Sequence, residues 1–156
     1  LMQLGLQLGA DVPFFLFGRN AFAEGIGEQL QAVATPNSWF VVLRPEAMIP
    51  TPIIFSANDL TRDSKAVKIA DFSSDAKTLS EFGRNDLQSV AERLFPAVRE
   101  ARQWLEKFGA ARMTGSGSCV FCRVADENEA DKIIQAAPVL AWKAKALEHH
   151  PLANLL

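Results

Sequence analysis

Ala110-Ala111-Arg112-Met113-Thr114-Gly115-Ser116-Gly117-Ser118-Cys119-Val120-Phe121-Cys122-Arg123-Val124 is the stretch on which the fold turns. Two short runs, 110–114 and 119–124, flank a Gly-Ser-Gly-Ser segment. Glycine takes the positive φ that a tight turn needs, so the stretch predicts two hairpinned strands. Downstream, Glu127–Ala136 has helical spacing and Val139–Ala146 reads as a further strand. Upstream, Asn85-Asp86-Leu87-Gln88 resembles a capping box opening a helix to about Phe95. Pro96 starts a second helix, with an apolar stripe of Leu94, Val98, Ala101, Leu105 and Phe108 and Gly109 at its close. Two helices, two hairpinned strands, a helix and a strand predict an α+β fold, with helices layered on an antiparallel sheet.

Moving towards the N-terminus, residues 58–78 are polar and predict a long surface loop. Thr51-Pro52-Ile53-Ile54-Phe55 predicts a short helix with Thr51 as cap and Pro52 in its first turn. Three prolines in 45–52 mark a boundary, giving a first domain over 1–44 and a second over 45–156. Trp39–Leu43 is a continuous apolar run, expected as a buried strand ending at Pro45. Ala21–Val33, with Glu24-Gly25-Ile26-Gly27-Glu28 at its centre, predicts a hairpin. Phe14–Phe17 predicts a short buried turn ended by Gly18. Leu1, Leu4 and Leu8 repeat at helical spacing up to Gly9. Because the chain opens inside this apolar pattern, it reads as the middle of a longer protein.

The 156 residues are 49% hydrophobic and carry a formal charge of −2, split as −2 over 1–78 and 0 over 79–156. That apolar content supports a core without metal or disulfide staples. Neither half has the basic excess of a nucleic-acid binder. No apolar run reaches membrane-spanning length, so a cytoplasmic protein without a membrane partner is the expectation.

Phosphate-loop, metalloprotease and nucleophile-elbow motifs do not occur. Cys119 and Cys122 have C-x-x-C spacing, but on a strand the two thiols diverge, and no further Cys or His pair completes a metal set; they read as core cysteines. His149 and His150 read as solvated. Two segments stand out. In Leu8-Gly9-Ala10-Asp11-Val12-Pro13-Phe14-Phe15 a carboxylate lies on a glycine-flanked turn inside an apolar stretch. It could be desolvated and aimed as a general base, or simply cap the N–H of Phe14 or of the residue before it. In Gly115-Ser116-Gly117-Ser118 the backbone can approach a ligand closely and the serines add donors suited to phosphate, or the segment is a plain hairpin turn.

In this order, Leu8–Phe15, Ala23–Glu28, Pro50–Phe55, Asn85–Leu87 and Met113–Cys119 resemble the 4-diphosphocytidyl-2-C-methyl-D-erythritol kinase family of the GHMP kinase superfamily. The resemblance spans residues 5–124. It implies phosphorylation of a hydroxyl of that small-molecule substrate by ATP, on the non-mevalonate route to isoprenoid precursors. By position, Asp11 matches the catalytic aspartate, Thr51, Pro52 and Phe55 match pocket-lining positions, and Gly115, Ser116, Gly117 and Ser118 match a turn near the ATP phosphates. Mg²⁺ is implied by ATP chemistry alone. The family's substrate-orienting lysine, its glycine-rich ATP loop and its cytosine-binding residues have no counterpart in these 156 residues. The expectation is therefore an isolated chain without activity, whose strands between 21 and 44 lack sheet neighbours and favour self-association. A sister kinase of the superfamily, a non-catalytic binding module on the same fold and a structural α+β domain are the alternatives.

Overall fold

The computed structural model describes residues 1–65, 67–69 and 83–152. Part of the loop expected over 58–78 (residue 66 and 70–78) lies outside the described residues. Among those described, 1–37, 69 and 146–152 belong to one compact unit, and 38–65, 67–68 and 83–145 to another.

The second unit is built on a sheet of order β4-β5-β3-β6. Its strands are β3 (Trp39–Arg44), β4 (Ala111–Met113), β5 (Val120–Val124) and β6 (Leu140–Lys145), and every pairing is antiparallel. Successive side chains of a strand face opposite ways. Val41 and Leu43 therefore sit opposite Cys122 and Val120, and all four are fully buried. The expected hairpin, the helix at Glu127–Ala136 and the last strand are all present.

The sequence sets a boundary after residue 44. The structure divides the chain between Asn37 and Ser38, because β3 hydrogen-bonds to β5 along one edge and to β6 along the other. For the same reason β3 does not lack neighbours. Of the strands between 21 and 44, β1 (Ala21–Glu24) and β2 (Gln29–Ala32) pair, among the described residues, with each other alone.

Helices α3 (Thr51–Phe55), α4 (Gln88–Leu94), α5 (Pro96–Leu105) and α6 (Glu127–Ala136) supply the rest of this core. Ile54, Val90, Val98, Leu105 and Ile133 are buried with the strand residues. Within the expected α5 stripe, Val98, Ala101 and Leu105 are buried while Leu94 and Phe108 remain more than a third exposed. The helix ends at Leu105 rather than Gly109, and Phe108 donates to the Leu105 carbonyl in a closing turn.

The first unit holds α1 (Met2–Leu8), α2 (Val12–Phe17) and the β1–β2 hairpin. Gly5 lets the two helices meet: a Cβ there would stand 2.6 Å from Leu16 Cδ1. Phe14 and Phe15 are exposed, not buried as their composition suggests, whereas Pro13 beside them is covered. His150 is not simply solvated. It is half-buried, donates its backbone N–H to the Gly18 carbonyl at 2.8 Å, and sets its ring edge-on to Phe15.

Candidate active site

The Gly115–Ser118 turn joins β4 to β5 at the end of the sheet. Thr114 N–H donates to the Cys119 carbonyl at 2.9 Å, and Gly117 N–H donates to the Thr114 carbonyl at 3.1 Å. Gly115 and Gly117 have φ of 56° and 99°, the left-handed region that favours glycine. Gly117 also lies against Ile49 and Met113, where a Cβ would stand 2.7 Å from Ile49 Cδ1. Among the described residues, the backbone N–H groups of Gly115, Ser116 and Ser118 have no hydrogen-bond partner. Successive backbone donors and hydroxyls in one turn are an anion-binding arrangement.

Helix α3 meets this turn through side chains. Thr51 Oγ1 and Ser116 Oγ share a hydrogen bond of 2.8 Å across 65 residues of sequence. The expected capping role of Thr51 is not found: Pro50 occupies the N-cap, Thr51 is the first helical residue, and no side chain caps the helix. Its hydroxyl turns to Ser116 instead. Pro52 and Phe55 lie on the same helix, both exposed, and Phe55 keeps 54% of its surface open. The helix end is held by Arg62, whose guanidinium donates to the carbonyls of Phe55, Ala57 and Leu60.

On another side of the turn is a cleft of about 830 Å³. Its walls include Arg44, Glu46, Met48, Ser118 and Leu140, but none of Thr51, Pro52, Phe55 or Ser116. Ser118 Oγ donates across to the Pro45 carbonyl at 3.4 Å.

Asp11 belongs to the first unit and stands at the N-cap of α2. Its side chain accepts no cap hydrogen bond; the backbone carbonyl takes the Phe14 N–H instead, at 3.2 Å. The carboxylate is exposed, so the apolar residues around it in sequence do not desolvate it. Neither of the roles that its sequence context suggests, helix cap or desolvated carboxylate, is what the geometry gives.

The cysteines behave as core residues. Both are free, Cys122 is fully buried and Cys119 is half-buried. Burial, aided by the charge of Glu129, pushes the Cys122 thiol up to about 11, which leaves it unreactive near neutrality.

Sequence reasoning missed Asn85 and Gln88 as partners of the turn. Asn85 Nδ2 donates to the Met113 and Gly115 carbonyls, and Gln88 Oε1 accepts from Met113 N–H. The capping box expected from these two residues is absent, since the α4 N-cap is Leu87 and no side chain caps it.

Comparison with known proteins then bears on this site. The family GHMP kinases C terminal matches residues 64–139. The 4-diphosphocytidyl-2-C-methyl-D-erythritol kinase of Janthinobacterium sp. (strain Marseille) is 61% identical over 99% of the chain. The chain is similar to GHMP kinases along nearly its whole length. A kinase of the same name from Herminiimonas arsenicoxydans is 60% identical over 99% of the chain, and one from Azoarcus sp. (strain BH72) is 54% identical over all of it. The chain spans about half the length of these relatives, 53%, 54% and 54% respectively. A crystal structure of 4-(cytidine 5'-diphospho)-2C-methyl-D-erythritol kinase superposes with a TM-score of 0.74 at 31% identity, covering 92% of this chain and 56% of that one. Within this chain, Thr51 and Ser116 are brought into contact, while Asp11 belongs to the other unit.

Proposed function

We propose that the complete protein phosphorylates a hydroxyl of 4-diphosphocytidyl-2-C-methyl-D-erythritol with ATP, on the non-mevalonate route to isoprenoid precursors. What carries this reading is 61% identity along 99% of the chain to a relative of that name. Asp11 is the base. As the substrate oxygen attacks the γ-phosphorus, its proton passes to the Asp11 carboxylate. The new oxygen–phosphorus bond forms, the bond from phosphorus to the β,γ-bridging oxygen breaks, and ADP leaves. Support comes from the Asp11 carboxylate, which is exposed and spends neither oxygen on capping its helix. The unpaired N–H groups of Gly115, Ser116 and Ser118 suit the ATP phosphates. Thr51, Pro52 and Phe55 offer a hydroxyl and an apolar face to the substrate.

Among the described residues, no three His, Cys, Asp or Glu side chains gather to hold a metal. The ion enters the proposal on the phosphates of ATP, and no step is routed through it. The 156 residues alone are proposed to be inactive, because a base without further phosphate-binding groups supplies only a small part of the stabilisation phosphoryl transfer needs. They are also proposed to self-associate through the edges of the β1–β2 pair, which among the described residues carry no further strand. The reaction is placed in the cytoplasm, where the free thiols of Cys119 and Cys122 persist. No described helix is long and apolar enough to cross a membrane.

The test is ADP release by the complete gene product beside its Asp11→Asn variant. Turnover is expected to fall by about 10²–10⁴, the usual contribution of a positioned general base. Undiminished turnover in the variant would leave the kinase standing and remove Asp11 as its base.

A further inference from the structure

Asn85 stands in the loop before α4, half-buried, and uses three of its four hydrogen-bonding positions. Its Nδ2 gives one hydrogen to the Met113 carbonyl at 2.9 Å and the other to the Gly115 carbonyl at 2.8 Å. Its Oδ1 accepts from the Leu87 N–H at 3.0 Å. These partners fix the amide's orientation, since turning it over would set its oxygen against two carbonyl oxygens. Gln88, one residue into the helix side of the same network, accepts from Met113 N–H at 2.9 Å. Both backbone groups of Met113, at the end of the edge strand β4, are thus held by side chains of the loop–helix junction. The Gly115 carbonyl, the first in the turn, is held by the same Asn85 amide.

The consequence lies on the far side of that peptide. Holding the Gly115 carbonyl fixes the peptide plane it shares with the Ser116 N–H, because the two atoms belong to one rigid unit. Ser116 is also the residue whose hydroxyl meets Thr51 on α3. One side chain therefore sets the direction of a backbone donor in the turn and supports the contact between that turn and α3.

We propose that Asn85 is a positioning residue for phosphoryl transfer: by holding the Met113 and Gly115 carbonyls it steadies the turn and aims the Ser116 backbone N–H at the ATP phosphates. The inference rests on the kinase reading above and adds to it a residue which touches neither substrate. A carboxylate cannot donate, so Asn85→Asp loses both tethers to the turn yet still accepts from Leu87 N–H. The entrance to α4 survives while the turn is released.

The experiment compares steady-state kinetics of the complete gene product and its Asn85→Asp variant, each scaled to its folded fraction. Two lost hydrogen bonds are expected to raise the KM for ATP about tenfold or more, while the KM for the phosphoryl acceptor changes by less than about twofold. A lowered melting temperature with both KM values unchanged marks a merely structural residue and overturns the inference. An equal rise in both KM values overturns it too. A wild-type protein without ATP turnover removes the kinase reading itself, and the inference with it, a result distinguishable from the variant's behaviour. If Asn85→Asp does not fold, hydrogen exchange in the wild-type protein gives the answer. Slower exchange of the Asn85 side-chain amide together with the Ser116 N–H when ADP is added supports the proposal. No slowing, or slowing at the backbone N–H alone, overturns it.

Discussion

Gly117 shows how one missing side chain holds a site open. With φ at 99° and a Cβ position 2.7 Å from Ile49 Cδ1, it combines backbone strain with a steric clash. Gly117→Ala is expected to cost about 1–3 kcal/mol of stability, read from the midpoint of urea denaturation. Gly115→Ala, at φ 56° with open space around it, bears only the backbone part and should lose less. Cys122 gives a pH dependence. Its thiol, raised from an ordinary 9.0 to about 11 by burial first and then by Glu129, holds its proton more tightly folded than unfolded. Its stabilising contribution is therefore whole below pH 9 and is lost as pH rises towards 11. Denaturation midpoints at pH 8 and 10.5 should show a smaller loss for Cys122→Ala than for the wild type. The burial of Cys122 could be read from strand alternation alone. The role of Asn85 could not, because its partners lie 28 and 30 residues away and nothing local distinguishes a tether from a cap.

At the scale of elements, most of the second unit was legible, and the errors share a cause. Helix α6 has the bounds its sequence predicts, and the reciprocal capping absent at Asn85–Gln88 is found at its start. Asp126 accepts from Glu129 N–H at 2.9 Å, and Glu129 accepts from Ala125 N–H at 2.7 Å. Asp-x-x-Glu spacing before an apolar-periodic run is the pattern that favours such a start. Asp126→Ala is expected to lower stability by about 1 kcal/mol, measured by thermal denaturation, whereas Asp86→Ala removes only an exposed pair with Arg84 and should change little. Thr51 and Asn85 both have the sequence setting of local caps, yet both reach across the unit to the Met113–Ser118 segment. Cap residues carry the same donors and acceptors that long-range tethers use, so local sequence cannot separate the two uses. Strand β3 was legible as a strand but not as the inner member of the sheet. Its partners β5 and β6 follow more than 70 residues later.

For the whole molecule, the order of short motifs spoke more clearly than any single one. A lone Gly-Ser-Gly-Ser segment or one exposed aspartate carries little, but five segments in a fixed order carry the resemblance to GHMP kinases. Relatives up to 61% identical along 99% of the chain agree. What composition could not supply was side-chain geometry: in the second unit the Thr51–Ser116 bond and the hold of Asn85 on the turn, and in the first unit the freedom of the Asp11 carboxylate from its helix. These are the features that suit phosphoryl transfer, and the choice of acceptor is what separates this reading from that of a sister kinase. The most direct measurement is ADP release by the complete gene product, with ATP and either 4-diphosphocytidyl-2-C-methyl-D-erythritol or, in parallel, mevalonate, homoserine or galactose as acceptor. The expected result is turnover with the diphosphocytidyl compound alone. Turnover with one of the others in its place, or with none of the four, would contradict the proposed function.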